Sequence, residues 1–307
     1  MKSAGWSATG ATYGVYLLAH RLRSTQAVVD VATAAEALGY EYLWAGERVF
    51  YPGQAPPDAP IDFDASTVLS YVAGRTSRIR LGTSTIILPY RNPILLAKAV
   101  ATLDQLSGGR VTLGVGVGSL KEEYESLGVR FAQRGVICDE YIGALKEIWT
   151  SEQPQFRGRF CSFGPLTFSP KPVQKPHPPI WVAGNSERAM KRAVEFGDAW
   201  QPELDLPQME VAAHRFFDLS AAKGRLPPPL LAVGSRRIQI TDTDASPERQ
   251  PLQGSAEQVA ADVRRYIEVG VRHFVLWVPA GAAHVVDQMQ RFAERVIPLL
   301  LASASPR

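Results

Sequence analysis

Short apolar runs alternate with longer segments of helical period along the chain, and the alternation repeats about eight times. The strand candidates are Tyr13–His20, Tyr40–Gly46, Arg78–Ile87, Arg110–Gly118, Pro179–Gly184, Asp198–Pro202, Leu230–Ile240 and His273–Pro279. Their near-continuous apolar character predicts parallel strands buried on both faces rather than strands with one wet face. Between them, helix signals have readable ends. Ser24 is placed to cap a helix whose apolar face is Val28, Val31, Ala35 and Leu38, with Gly39 as its stop. Asn92-Pro93 opens a second helix that closes at Gly108-Gly109, and Ser255 opens a third that ends at Gly270. Eightfold strand–helix alternation predicts an α/β fold of the (β/α)8 TIM-barrel type, one domain over residues 1–307, with a doubly wound open sheet as the alternative. One stretch breaks the rhythm. Residues 151–179 are rich in proline and aromatics and too long for an ordinary connection, which predicts an insertion beside the barrel, with a short hairpin.

Composition narrows the function classes. The chain has 307 residues, 46% of them hydrophobic, enough for a substantial core. The 33 Lys+Arg and 30 Asp+Glu are interspersed and form no basic stripe, which argues against a dedicated nucleic-acid binder. Two cysteines, Cys138 and Cys161, make neither a disulfide framework nor a zinc site, and no other spacing suggests a metal. No apolar run approaches the roughly 18 residues of a membrane span, and the first residues lack the apolar core of a signal peptide. A cytoplasmic protein without membrane contact is expected.

Several clusters can carry chemistry. Gly114, Gly116 and Gly118 alternate within a strand, a spacing that fails the dinucleotide fingerprint, whose glycines lie in the turn that opens a helix. Two readings stand: a crowded barrel layer that admits no side chains, or a bare strand end on which a flat cofactor ring can lie. Gly184, Asn185 and Ser186 start a helix, suited to a phosphate or to plain capping. Thr83, Ser84 and Thr85 end the third strand, where barrel active sites are built, although threonine is also simply a good strand former. Glu47 and Arg48 follow the second strand, placed to bind a ring edge or an acidic group, or to pair with each other. Of five histidines only His20 has a natural place at the rim, and no Ser-His-Asp order is evident.

With these residues in view, the chain resembles the luciferase-like flavin and deazaflavin oxidoreductases, which include bacterial luciferase and coenzyme F420-dependent dehydrogenases and reductases. The matching stretches are residues 78–129 and 176–200, with weaker matches at 34–49 and 270–279. The resemblance implies a TIM barrel with an insertion and a non-prolyl cis peptide at Ser84-Thr85 under the central ring of the cofactor. It places Gly116, Val117, Gly118 and Ser119, with Gly184, Asn185 and Ser186, along the ribityl-phosphate arm, and Glu47 by the ring's polar edge. Relatives are commonly homodimers. The chain also departs from that pattern. Many relatives have Asp-His where this chain has Glu47-Arg48, and Ser119 replaces the acidic residue of the sugar-phosphate dehydrogenases. Arginine stays protonated and is a poor general base, so sugar-phosphate oxidation is rejected.

The leading expectation is a coenzyme F420-dependent oxidoreductase passing a hydride to or from a small organic substrate, with Glu47 and Arg48 as catalytic residues. His20, Arg48, Tyr51, Tyr90 and Trp277 are its substrate-pocket candidates. The alternatives are an FMN-dependent monooxygenase fed by a flavin or F420 reductase and, in another class, a non-catalytic cofactor-binding protein.

Overall fold

The computed structural model describes residues 3–17, 24–53, 63–278 and 281–304. Eight parallel strands form its centre: β1 (Thr12–Tyr16), β2 (Tyr42–Ala45), β3 (Arg80–Thr83), β4 (Val111–Gly116), β5 (Ile180–Ala183), β6 (Ala199–Gln201), β7 (Leu230–Arg237) and β8 (His273–Trp277). Each pairs with its sequence neighbours, and β1 pairs with β8, so the sheet closes on itself. The eightfold alternation is therefore a (β/α)8 barrel and not an open sheet. His20 lies outside the described residues.

The predicted caps explain where helices begin and stop. Helix α1 (Thr25–Leu38) starts where the Ser24 side chain accepts from the Ala27 amide, and it ends at Gly39 with a left-handed φ of 98°. Its Val28, Val31, Ala32 and Ala35 are buried against the barrel, and each valine contributes about 1.5–3 kcal/mol relative to exposure. Helix α2 (Ala65–Ala73) follows β2. Helix α3 (Pro93–Ser107) begins with Asn92 accepting from the Ile94 and Leu95 amides. Helices α4 (Arg134–Thr150), α5 (Glu187–Phe196), α6 (Leu206–Ala222), α7 (Ala256–Glu268) and α8 (Ala282–Arg291) complete the outer layer. The Ser255 cap of α7 forms a full capping box with Gln258.

Large rings fill the barrel interior. Tyr42, Trp44 and Trp181 surround His273, and side chains at Gly14 or Gly82 would run into the Trp44 indole. His273 is fully buried. Its Nε2 accepts from Trp44 Nε1 at 3.0 Å, so Nδ1 carries the proton facing Thr12 Oγ1 at 2.7 Å. Burial pushes its pKa down to about 3, and it belongs to the core.

The insertion carries the predicted hairpin, with Phe156–Arg157 antiparallel to Ser162–Phe163. It runs under the strand starts rather than beside the barrel. The Gln174 side chain donates to the Val111 carbonyl and to Asp104 and accepts from Arg80, the first residue of β3. Lys171 binds the carbonyls of Ile148 and Ser151 at the end of α4. The insertion thus packs under the starts of β3 and β4, away from the strand ends, where barrel sites are built.

Two expected strands are broken. The run Arg78–Ile87 divides into β3 and a separate pair, Ile86–Ile87. The run Leu230–Ile240 ends its barrel strand at Arg237, and Gln239–Ile240 pairs instead with Gln253–Gly254.

Candidate functional site

The break in β3 builds the floor of the site. Gly82 pairs with Thr112, yet Ile86 pairs with Val115, so β3 spends four steps where β4 spends three. The surplus residue leaves the ladder as a bulge at Ser84-Thr85, whose peptide is cis, as the family resemblance implies. Across the bulge, Thr83 stands in for the missing backbone partner. Its hydroxyl donates to the Gly114 carbonyl at 2.7 Å and accepts from the Gly114 amide at 2.8 Å. Thr83 is 5% exposed, so its hydroxyl is held in the sheet, and of the three hydroxyl residues expected at the active-site end only Ser84 and Thr85 line the cleft.

The alternating glycines answer the same bulge. A Cβ on Gly114 would overlap the Thr83 carbonyl, one on Gly116 would press on Thr85 Oγ1, and one on Gly118 would press on Ile87. Gly118 also has φ +60. Every second residue of β4 is bare because every second residue of the third strand leans on it. The crowding reading holds for the sheet, and only Gly118 and Ser119 reach the cleft.

The cleft, about 280 Å³, lies over the bulge at the strand ends. Ser84, Thr85, Gly118 and Ser119 form its base, with Glu47 and Arg48 from the β2 end, Glu123 from a short helix and Glu203 from the loop after β6. Tyr16 and Ile87 complete the lining. The volume is near the lower end of the roughly 300–1,000 Å³ typical of ligand pockets.

Two buried glutamates tie the loops around it. The Glu47 side chain is 4% exposed. Its Oε2 accepts from the Ile87 amide at 2.8 Å, and its Oε1 takes the Arg91 guanidinium, which also reaches Asp64. Burial raises the Glu47 pKa from its ordinary value, against the pull of Arg91. The expected pairing of Glu47 with Arg48 is absent; Arg91 takes that place, and both carboxylate oxygens are engaged. Glu47 thus lines the cleft while its carboxylate braces the segment from Ile87 to Arg91. Glu123, from the short helix Lys121–Ser126, is fully buried. Its Oε1 accepts from the Val49 amide at 2.9 Å and the Phe50 amide at 3.4 Å, and its Oε2 accepts from Tyr90 at 2.9 Å. Burial, then the Glu123 carboxylate, lift the Tyr90 phenol well above its ordinary pKa. Arg48, clamped between these anchored neighbours, lies with its guanidinium carbon 5.3 Å from the Tyr51 ring centre.

The remaining expected residues are more scattered. Gly116 is buried and Val117 half-buried, with the Val117 carbonyl accepting from Tyr124. Ser186 caps α5 through Ala189. Both ends of the Asn185 amide are spent on the Glu203 backbone, and the first-turn carboxylate of Glu187 already pairs with Lys191 and Arg215. Gly184, with φ +123, offers its carbonyl to Trp200. This helix start can offer a phosphate backbone amides but not the Asn185 side chain. The Trp277 indole donates to the Ser235 carbonyl. A ring with a polar edge fits the other end: a backbone bulge as floor, a bare glycine at the rim, and charged groups around. Glu123, Gln201 and Glu203 were not anticipated; Glu123 follows the glycine run closely enough that its position was the one available clue.

Among the described residues no cluster suits a metal ion, and no helix is long and apolar enough to cross a membrane. A family model described as luciferase-like monooxygenase matches residues 5–253. An uncharacterized protein of Mycobacterium tuberculosis is 30% identical over 298 residues, covering 92% of this chain and 96% of its own. The FMNH2-dependent dimethylsulfone monooxygenase of Pseudomonas putida is 33% identical over 171 residues, 55% of this chain and 46% of that protein. The coenzyme F420-dependent tetrahydromethanopterin reductase of Methanopyrus kandleri superimposes with a TM-score of 0.79 at 17% identity, over 94% of this chain and 99% of the other.

Proposed function

The chain belongs to the luciferase-like monooxygenase family, and from that premise we propose that it is a coenzyme F420-dependent oxidoreductase acting on a small organic substrate. The observation that carries this reading is the cleft lining, in which eight of ten residues have polar side chains. A site that activates dioxygen has to keep water away, whereas hydride transfer chiefly needs alignment. When bound, the cofactor supplies or accepts the hydride.

The protein's own groups do the rest. The Ser84-Thr85 bulge gives the ring a surface to lie against, and Gly118 leaves the rim clear. A guanidinium has no acceptor for a proton, so Arg48 anchors or polarises a substrate oxygen and does not act as a base. The Glu203 carboxylate makes no hydrogen bond or ion pair among the described residues while facing the cleft. It is therefore the acid placed to exchange a proton with the substrate. Glu203→Gln is expected to lower kcat by about 10²-fold or more, within the roughly 10²–10⁴-fold range of general acid–base catalysis, while leaving cofactor affinity within about twofold. Unchanged kcat removes Glu203 from the mechanism.

A second reading, an FMN-dependent monooxygenase supplied by a reductase, draws support from the sequence shared with the dimethylsulfone enzyme over 171 residues. Titration with F420, FMN and FAD side by side, followed by fluorescence and calorimetry, separates the two. Tight binding of F420 alone supports the first, preference for reduced FMN the second, and affinity for none overturns both.

A further inference from the structure

Gln201 ends β6 and is 1% exposed. Its Nε2 donates to Ser84 Oγ at 3.1 Å, joining residues 117 positions apart across the barrel mouth. Its Oε1 is buried and has no hydrogen-bond partner among the described residues. A buried amide with one end unmade is costly, and an apolar side chain of similar shape would ordinarily be as good or better for folding. Ser84, by contrast, lines the cleft at the bulge. Because its Oγ accepts from Gln201, its own proton is left to point into the cleft.

We propose that Gln201 is a positioning residue for cofactor binding. It is kept at the expense of stability so that Ser84 presents its hydroxyl as a donor from the floor of the cleft. Gln201 itself touches no ligand, since its Oε1 is sealed from solvent; it acts through Ser84. The donor faces a ligand with acceptor atoms over the bulge, as a flavin or deazaflavin ring has in its carbonyl edge. The inference rests on the reading of the cleft as a ring-binding site.

The test uses Gln201→Met, Ser84→Ala and the double variant, with two readouts on the full chain: melting temperature without ligand, and dissociation constants for F420 and FMN. Gln201→Met is expected to melt at or above the wild-type temperature while weakening the tighter cofactor at least fivefold. Ser84→Ala is expected to weaken it similarly, and the double variant no further than Ser84→Ala alone. Unchanged affinity in Gln201→Met overturns the proposal, as do additive losses in the double variant. A lowered melting temperature in Gln201→Met overturns the claim that the amide is held against stability. Should the methionine variant fail to fold, Gln201→Leu and the Ser84→Ala affinity carry the same comparison. Wild-type protein that binds neither cofactor sinks the ring-binding reading itself, a result distinct from wild-type binding that Gln201→Met leaves intact.

Discussion

At the scale of single residues, the cleft is governed by where each polar group spends its hydrogen bonds. Glu47 and Glu123 are acids within a cleft, yet each is used to hold backbone amides of a neighbouring loop. Residue type and strand position put Glu47 at the rim, but its partner Arg91 lies 44 residues on, and no local pattern links them. Arg91→Ala leaves a buried carboxylate with one amide and no cation. It should cost about 2 kcal/mol in denaturant unfolding, below the roughly 3–5 kcal/mol of a fully buried pair because Arg91 is 30% exposed. No change in stability would show the brace to be dispensable. His273 gives a pH signature. The unfolded chain takes up a proton as pH falls through about 6.5, whereas the folded histidine stays neutral down to about 3. Its folded pKa is lowered, so stability is complete above pH 6.5 and is lost as pH falls from there toward 3, by up to about 1.4 kcal/mol per unit. His273→Gln should flatten that slope between pH 6.5 and 4; parallel curves for variant and wild type would contradict it.

At the scale of elements, the strand–helix alternation and the caps at Ser24, Asn92 and Ser255 were legible because both are local signals. The break in β3 was legible only through the family resemblance, which places a cis peptide at Ser84-Thr85; no local pattern shows it, since a register slip exists only between two strands. The glycine alternation in β4 was its visible trace. It follows that alanine should be tolerated unequally along the run. Gly114→Ala sets a Cβ against the Thr83 carbonyl, a backbone atom that cannot rotate away, and should cost about 3 kcal/mol or more. Gly116→Ala meets only the Thr85 side chain and should cost about 1 kcal/mol. Thermal unfolding of the two variants checks the order; equal losses would argue that β4 needs its glycines for some other reason.

At the scale of the whole molecule, the eightfold count favoured the barrel but left an open sheet as the alternative; the pairing of β1 with β8 closes it and puts all strand ends on one face. The insertion docks on the opposite face through Gln174 and Lys171, a placement its proline-rich sequence could not reveal because the contacts join distant segments. What the barrel gathers at its open face is a polar cleft over a backbone bulge, the setting of the proposed hydride transfer. The most direct measurement is turnover without dioxygen. Protein loaded with F420 and offered a panel of small alcohols, or loaded with reduced F420 and offered the matching carbonyl compounds, should show stoichiometric change in cofactor absorbance under strict anaerobiosis. Turnover that appears only when oxygen is admitted, with reduced FMN as the cofactor consumed, would contradict the account.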